Sequence, residues 1–268
     1  MKSHVRRAAV AGRFYPADAA GLRRTVQGLL DHADSPAGDE RPPKAIIAPH
    51  AGYRYSGPVA ATAFASLAQA RGIVRRVIVA GPAHRSPLDT VAVSSAVAFA
   101  TPLGPVIVDE DARQHALAVP GVVVDDRAHA GEHSVEVQLP FVLAALGEVS
   151  VLPILVGWSG AAVFADVADV LWGDAETCFV ISTDLSHYHD ARVASMLDGR
   201  TAEMICRLDA PPPDAACGSA AVAGILLAAR RHQLDVRLLD LRTSADTCGD
   251  PERVVGYGAF ALAEPAAR

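Results

Sequence analysis

The chain has 268 residues, 51% of them apolar and 20% charged, a composition that supports a sizeable buried core and excludes extended disorder. The formal net charge is -6, the sequence pI is about 5.9, and no Lys/Arg cluster stands out, so we expect no nucleic-acid-binding surface. Composition does not shift along the chain, which predicts a single domain over residues 1–268.

The four cysteines contain no CxxC pair and are too scattered for a disulfide framework, which indicates a reducing environment. Residues 1–13 carry charge but lack the apolar segment of a signal peptide. No apolar run reaches the roughly 20 residues that a membrane-spanning helix needs. The sequence therefore predicts a cytoplasmic protein without a membrane segment.

The predicted elements alternate between strands and helices. After a helix that begins at Asp18, apolar runs predict strands at residues 44–48, 76–80, 122–124, 150–156, 178–182, 236–241 and 254–262, with short β-like runs within 90–108. Helical patterns cover residues 57–71, 109–119, 161–172, 191–208 and 217–232. This order is typical of an α/β fold with a central, largely buried sheet flanked by helices.

Polar side chains that bind metals follow four of the predicted strands. They are His50, His84, Asp184 with His187, and Asp246 with Cys248. Ligands of open α/β sheets bind at the carboxyl ends of strands, so these side chains are expected to converge. Two histidines and an anionic ligand suit non-heme iron, and the same set suits zinc or copper.

Each of these residues also has an ordinary structural interpretation. A lone histidine after a strand, such as His50 or His84, often caps a loop, and Asp184 is suited to cap the helix near residue 190. Cys248 taken alone is a small hydrophobe, as are the other cysteines, Cys178, Cys206 and Cys217. The repetition of the pattern at several strand ends favours a shared site. A further cluster of His129, Glu132, His133 and Glu136 precedes a helix.

Several blocks in a fixed order resemble the Memo-like family, also labelled AmmeMemoRadiSam system protein B. The blocks are Ala-Gly-Arg-Phe-Tyr-Pro at 11–16, Ala-Pro-His-Ala-Gly-Tyr at 48–53, Gly-Pro-Ala-His at 81–84, Glu-His-Ser-Val-Glu-Val-Gln-Leu-Pro at 132–140, Ser-Thr-Asp-Leu-Ser-His-Tyr at 182–188, Cys-Gly at 217–218 and Val-Gly-Tyr at 255–257. The resemblance implies the fold of the class III extradiol dioxygenases, which open catechol rings with non-heme iron.

The resemblance also implies roles for individual residues. His50 and His84 match metal ligands, His187 matches the acid/base histidine, and Asp184 matches an aspartate beside it. Cys248 is expected as the third ligand, with Asp246 or Asp184 as substitutes. The remaining expected site residues are those of the substrate pocket: Tyr53, Glu132, His133 and Tyr188.

These expectations lead to three hypotheses about function. The first is a metal-dependent redox enzyme of the oxygenase or oxidase type, with iron as the preferred metal and copper as a second choice. The others are a non-catalytic adaptor that binds a peptide or small ligand in a vestigial pocket, and a zinc-dependent hydrolase. The family name implies a pathway link to AMMECR-type and radical-SAM proteins.

Overall fold

The computed structural model describes residues 4–33 and 42–265. Its strands are β1 (Val5–Arg6), β2 (Ala45–Ala48), β3 (Arg76–Pro82), β4 (Val91–Val93), β5 (Ala98–Thr101), β6 (Gly104–Ile107), β7 (Val122–Val124), β8 (Ser150–Val156), β9 (Thr177–Ser182), β10 (His187–His189), β11 (Asp235–Thr243) and β12 (Val254–Ala263). Its helices are α1 (Ala19–Asp31), α2 (Tyr53–Ala65), α3 (Glu110–Leu117), α4 (Asp126–Ala130), α5 (Leu139–Leu146), α6 (Ala161–Val170), α7 (Ala191–Cys206) and α8 (Ser219–Arg231).

Nine of the strands in this described part form one mixed sheet. Its order is β10-β12-β2-β9-β3-β8-β4-β7, and β11 pairs with β12. The four central strands β2, β9, β3 and β8 are parallel to one another, so their carboxyl ends lie at one edge of the sheet. Strands β1, β5 and β6 form a separate small sheet.

The central strands are buried because helices cover both faces of the sheet. Every residue of β2 and β9 is buried, as the continuous apolar runs predict. Helix α2 packs on β2, β11 and β12, and α8 packs on β3 and β9. The predicted α/β class with a helix-flanked central sheet is confirmed. Within the described residues, no helix is long and apolar enough to cross a bilayer.

Helix α2 begins four residues before the predicted start at residue 57. The carbonyl of Gly52 accepts hydrogen bonds from the backbone N–H groups of Tyr55 and Ser56, which closes an extra turn. Pro58 therefore lies inside the helix, where it has no N–H to offer the carbonyl of Arg54. That carbonyl instead accepts a bond from the Cys248 thiol, at 3.2 Å.

A buried ion pair connects the N-terminal arm to the segment before α5. The guanidinium of Arg6 contacts the Glu136 carboxylate and donates from Nε to the His129 carbonyl, at 3.0 Å. Glu136 also accepts from the backbone N–H groups of Ala9, at 2.8 Å, and Val10, at 3.0 Å. The Tyr15 hydroxyl completes the set of donors, at 2.5 Å. This carboxylate is fully buried, and its partners fix both segments against each other.

The buried His129 makes the stability of the fold depend on pH. Burial lowers the pKa of its imidazole from 6.5 to about 4. The unfolded chain therefore binds this proton at a higher pH than the folded chain. The contribution of His129 to stability is complete above pH 6.5 and is lost as the pH falls towards 4. Between pH 7 and pH 5 we expect a loss of about 2 kcal/mol from this residue.

Urea unfolding of the wild type and the His129→Gln variant at both pH values measures this loss. Glutamine keeps a donor for the Ala92 carbonyl, which the His129 ring contacts at 3.2 Å, but has no proton to gain. The wild type should lose about 2 kcal/mol more than the variant. Equal losses in the two proteins would show that His129 does not carry this dependence.

Candidate metal centre

Adjacent strand ends bring the predicted ligands together. His50 lies two residues after β2, His84 two residues after β3 and Asp184 two residues after β9, which runs between those two strands. The ring centroids of His50 and His84 are 5.2 Å apart. The expected convergence at the carboxyl edge of the sheet is therefore what the structure shows for these residues.

The third donor at this edge is the thiol of Cys217. Cys217 Sγ lies 3.4 Å from His50 Nε2, and one ligand atom from each of His50, His84 and Cys217 falls within 4.8 Å of the others. A tetrahedral metal with ordinary Zn–N and Zn–S bond lengths separates a nitrogen and a sulfur ligand by about 3.5 Å. The residues therefore fit a transition metal in both donor type and spacing.

Contacts with the loop after β9 place Cys217 in this position. The backbone N–H of Asp184 donates to the sulfur, at 3.2 Å, and the Cys217 N–H donates to the Asp184 carbonyl, at 3.2 Å. Gly218 permits the close approach, because a Cβ there would lie 2.7 Å from the Ser182 carbonyl oxygen. Burial and the nearby Asp184 raise the pKa of the Cys217 thiol to about 12. Metal binding by this sulfur must therefore displace a proton.

Cys248 and Asp246, the expected third ligands from the β11–β12 connection, are not part of this cluster. Cys248 is exposed, and its thiol contacts the Arg54 carbonyl. The Asp246 carboxylate closes its own turn by accepting from the N–H and hydroxyl of Thr243, at 2.7 and 3.0 Å. Cys217, interpreted from the sequence as a small hydrophobe, is half-buried beside His50. The Cys-Gly pair just before α8 was the sequence feature that could have pointed to Cys217, since a glycine allows the backbone to approach a neighbouring strand end closely.

Glu132 orients the histidines on one side of the centre. Its Oε1 lies 3.0 Å from His84 Nδ1 and 3.1 Å from His133 Nδ1, and its Oε2 accepts from the His84 backbone N–H at 2.5 Å. The His133 and His84 rings and the backbone N–H of Ser134 hold the pKa of the Glu132 carboxyl well below its usual range despite burial. An ionised carboxylate on Nδ1 leaves Nε2 of His84 free to bind a metal.

His84, Glu132 and His133 form a second group of potential ligands. Glu132 Oε1, however, already accepts from the backbone N–H groups of His133, at 2.7 Å, and Ser134, at 2.9 Å, as well as facing His84. This oxygen has no lone pair left for a metal, and Oε2 accepts from the His84 backbone N–H. We therefore interpret this second group as support for the first one. The His133 ring stacks against His84 at 4.8 Å and faces His50 at 5.5 Å, which places it on the wall of the centre.

His50 is fully enclosed and uncharged. Burial lowers the pKa of its imidazole well below 6.5, and the neighbouring His84 and His133 rings lower it further. Its backbone N–H donates to the Asp184 carboxylate, at 2.8 Å, and its Nδ1 lies 2.8 Å from the Ser182 hydroxyl. A neutral imidazole held from both sides is suited to bind a metal through Nε2.

Asp184 and His187 lie on the same loop next to the centre. Burial raises the pKa of the Asp184 carboxyl, although the His50 N–H bond opposes this shift. His187 is half-buried on β10, opposite Val255. The next residue, Tyr188, has a backbone φ of 66°, a value that residues other than glycine rarely adopt.

The two tyrosines expected in the substrate pocket have different environments. Tyr53 is buried; its hydroxyl donates to the Val137 carbonyl at 2.7 Å, and its ring packs against Tyr15 and Phe141. Tyr53 is thus a packing residue at the start of α2. Tyr188 is 64% exposed, with the Arg253 guanidinium 4.5 Å from its ring centre. Only Tyr188 is placed to meet a ligand from solution.

Comparison with known proteins agrees with the blocks in the sequence. The family model for Memo-like protein matches residues 6–261. A MEMO1 family protein of Methanothermobacter thermautotrophicus is 33% identical over 94% of this chain and 98% of its own length. Another, from Methanopyrus kandleri, is 35% identical over 94% of this chain and 96% of its own length. A third, from Metallosphaera sedula, is 33% identical over 94% of this chain and 97% of its own length. The chain therefore belongs to the Memo-like family.

Proposed function

We propose that this protein binds one divalent transition metal through His50, His84 and Cys217, and that it is a redox enzyme of the non-heme iron type. The observation that carries the proposal is the convergence of two imidazoles and one thiol within 4.8 Å at the sheet edge. Iron is the first choice of metal, and copper and zinc suit the same donors. Three protein ligands leave positions open for small molecules.

The surrounding residues support proton transfer and substrate binding near these open positions. A bound iron or copper would supply one-electron chemistry and a site for oxygen or an electron-rich substrate. In the proposal, His187 gives and takes protons, and Asp184 holds the loop on which His187 lies. His133 and Tyr188 line the space for substrate, and Glu132 keeps the imidazoles of His84 and His133 in place.

The relation to class III extradiol dioxygenases is part of this proposal. Two histidines and an acid/base histidine match those enzymes, but a cysteine replaces the carboxylate ligand. A thiolate is softer than a carboxylate and is itself oxidised by reactive oxygen species. We therefore propose oxygenase or oxidase chemistry without assigning ring cleavage. The pathway link to AMMECR-type and radical-SAM proteins remains part of the proposal.

A zinc hydrolase is the second candidate, because imidazole and thiolate donors suit zinc. The geometry argues against Glu132 as its general base. Both oxygens of this carboxylate already accept hydrogen bonds from His84, and Oε1 accepts two more from the backbone. His187 would then be the general base of such a hydrolase.

Metal analysis of protein purified anaerobically from iron-supplemented cells tests the proposal. We expect about one iron per chain and, with a reductant present, oxygen consumption that falls in the His50→Ala variant. Zinc in place of iron, without oxygen consumption, would favour the hydrolase. Protein that holds no metal under these conditions would contradict the proposal and favour the adaptor hypothesis.

A further inference from the structure

The hydroxyl of Ser182 has three hydrogen-bonding neighbours in the wall of the centre. Ser182 is the last residue of β9 and is fully buried. Its Oγ lies 2.6 Å from the Ser134 carbonyl oxygen, 2.8 Å from Gln138 Nε2 and 2.8 Å from His50 Nδ1. A hydroxyl has one proton to donate and two lone pairs to accept with. The three neighbours therefore occupy the one donor position and both acceptor positions of the hydroxyl.

The direction of each bond follows from the chemistry of the neighbours. A carbonyl oxygen only accepts, so Ser182 donates its proton to Ser134. The nitrogen of Gln138 that faces Ser182 also donates to the Pro49 carbonyl, at 3.0 Å, which identifies it as the amide NH₂. Gln138 thus donates to one lone pair of Ser182. The other lone pair faces His50 Nδ1, and that nitrogen must carry a proton.

The tautomer of His50 is thereby determined. A neutral imidazole with a proton on Nδ1 has a bare lone pair on Nε2. His50 Nε2 faces Cys217 Sγ at 3.4 Å, so this lone pair points towards the other proposed ligands. We propose that Ser182, held by Gln138, is a positioning residue that fixes the Nδ1–H tautomer of His50 and so prepares Nε2 for the metal. The inference rests on the ligand role of His50 in the proposed function.

Gly81 has no side chain, and this leaves space for the Ser134 and Ser182 side chains. A Cβ at Gly81 would lie 2.9 Å from Ser134 Oγ and 3.2 Å from Ser182 Cβ.

Without the Ser182 hydroxyl, a proton on His50 Nδ1 would have no acceptor in a buried position, which is costly. A proton on Nε2 would still face the Cys217 sulfur. Removal of the hydroxyl should therefore move the proton from Nδ1 to Nε2.

¹⁵N NMR of the imidazoles in the metal-free protein tests this directly. We expect His50 to be Nδ1–H in the wild type and predominantly Nε2–H in Ser182→Ala. The Ser182→Cys variant, whose thiol is a weaker acceptor, should shift the population in the same direction and serves if the alanine variant does not fold. His50 that stays Nδ1–H in both variants would overturn the proposal.

Ser134→Ala is the matched control. Ser134 is equally buried, and its hydroxyl donates to the Pro82 carbonyl, at 2.7 Å, while its backbone carbonyl remains for Ser182. We expect His50 to remain Nδ1–H in this variant. A tautomer change as large as that in Ser182→Ala would mean that any loosening of the cluster suffices, and would overturn the specific role of Ser182.

A cobalt(II) titration separates this inference from the proposed function. Residues that orient a metal ligand without binding the metal themselves typically change metal affinity about 10- to 100-fold, and we expect a loss of that size in Ser182→Ala. A tautomer change without any loss of cobalt affinity would support the role of Ser182 and contradict His50 as a ligand. Cobalt binding with an unchanged tautomer in both Ser182 variants would overturn the role of Ser182 alone.

Discussion

Replacing Cys217 with alanine is expected to abolish the metal binding that we propose for this protein. The sulfur lies 3.4 Å from His50 Nε2 and is the only cysteine thiol among the described residues that groups with the two histidines. Substitutions that merely disturb the orientation of a ligand cost about 10- to 100-fold in affinity, so the loss of a ligand should cost more than about 100-fold. Elemental analysis after dialysis, together with a cobalt titration, measures the effect.

Cys248→Ala provides the control for this experiment. It makes the same change at an exposed thiol whose neighbour is the Arg54 carbonyl, and it should leave metal content unchanged. The reverse result, with metal lost from the Cys248 variant and retained by the Cys217 variant, would restore the third ligand expected from the sequence. It would also require the loop after β11 to move towards the centre when metal binds.

Replacing Glu136 with alanine is expected to have the largest effect on stability. The variant leaves the buried Arg6 guanidinium without its carboxylate and removes the acceptor of the Ala9, Val10 and Tyr15 donors. Breaking a buried ion pair by removing one partner typically costs about 3–5 kcal/mol. Urea unfolding of the metal-free protein should show a loss in this range.

Glu203→Ala makes the same substitution in an exposed ion pair. Oε2 of Glu203 on α7 lies 3.9 Å from Nη2 of Arg207, the residue after that helix, and the two side chains are 71% and 74% exposed. Pairs of this kind contribute about 0–1 kcal/mol. Similar losses in the two variants would show that the Arg6–Glu136 network adds no more than a surface pair.

The central sheet was predictable because its strands are buried on both faces. Continuous apolar runs such as residues 44–48 and 178–182 have few alternatives in a chain of this composition. The short strand β10 was not predicted, because its sequence, His-Tyr-His, has no apolar pattern and pairs only with the start of β12. The early start of α2 was also missed, since Gly52, Gly57 and Pro58 near its beginning are typical of a loop.

The positions of the two histidines at the site were predictable, and that of Cys217 was not. His50 and His84 come directly after strong strands, and parallel strands place the residues at their carboxyl ends along one edge of the sheet. Cys217 precedes a helix and reaches the site through contacts with Thr183 and with Asp184, which is 33 residues away in sequence. Both cysteines carry the same thiol, so side-chain chemistry alone gave no reason to choose Cys217 over Cys248. Likewise, whether Tyr53 packs or binds depends on which side of α2 meets the core, and that is a tertiary property.

The pairing of β2, β9 and β3 has a consequence for how the protein folds. Ala48 pairs with Ser182, and Ala80 pairs with Ile181, so strands about 100 residues or more apart along the chain must align before His50, His84 and Cys217 meet. Such long-range parallel pairing forms slowly. The nascent chain therefore offers a metal no complete binding site until this pairing is finished. Loading with metal would then follow the completion of the sheet.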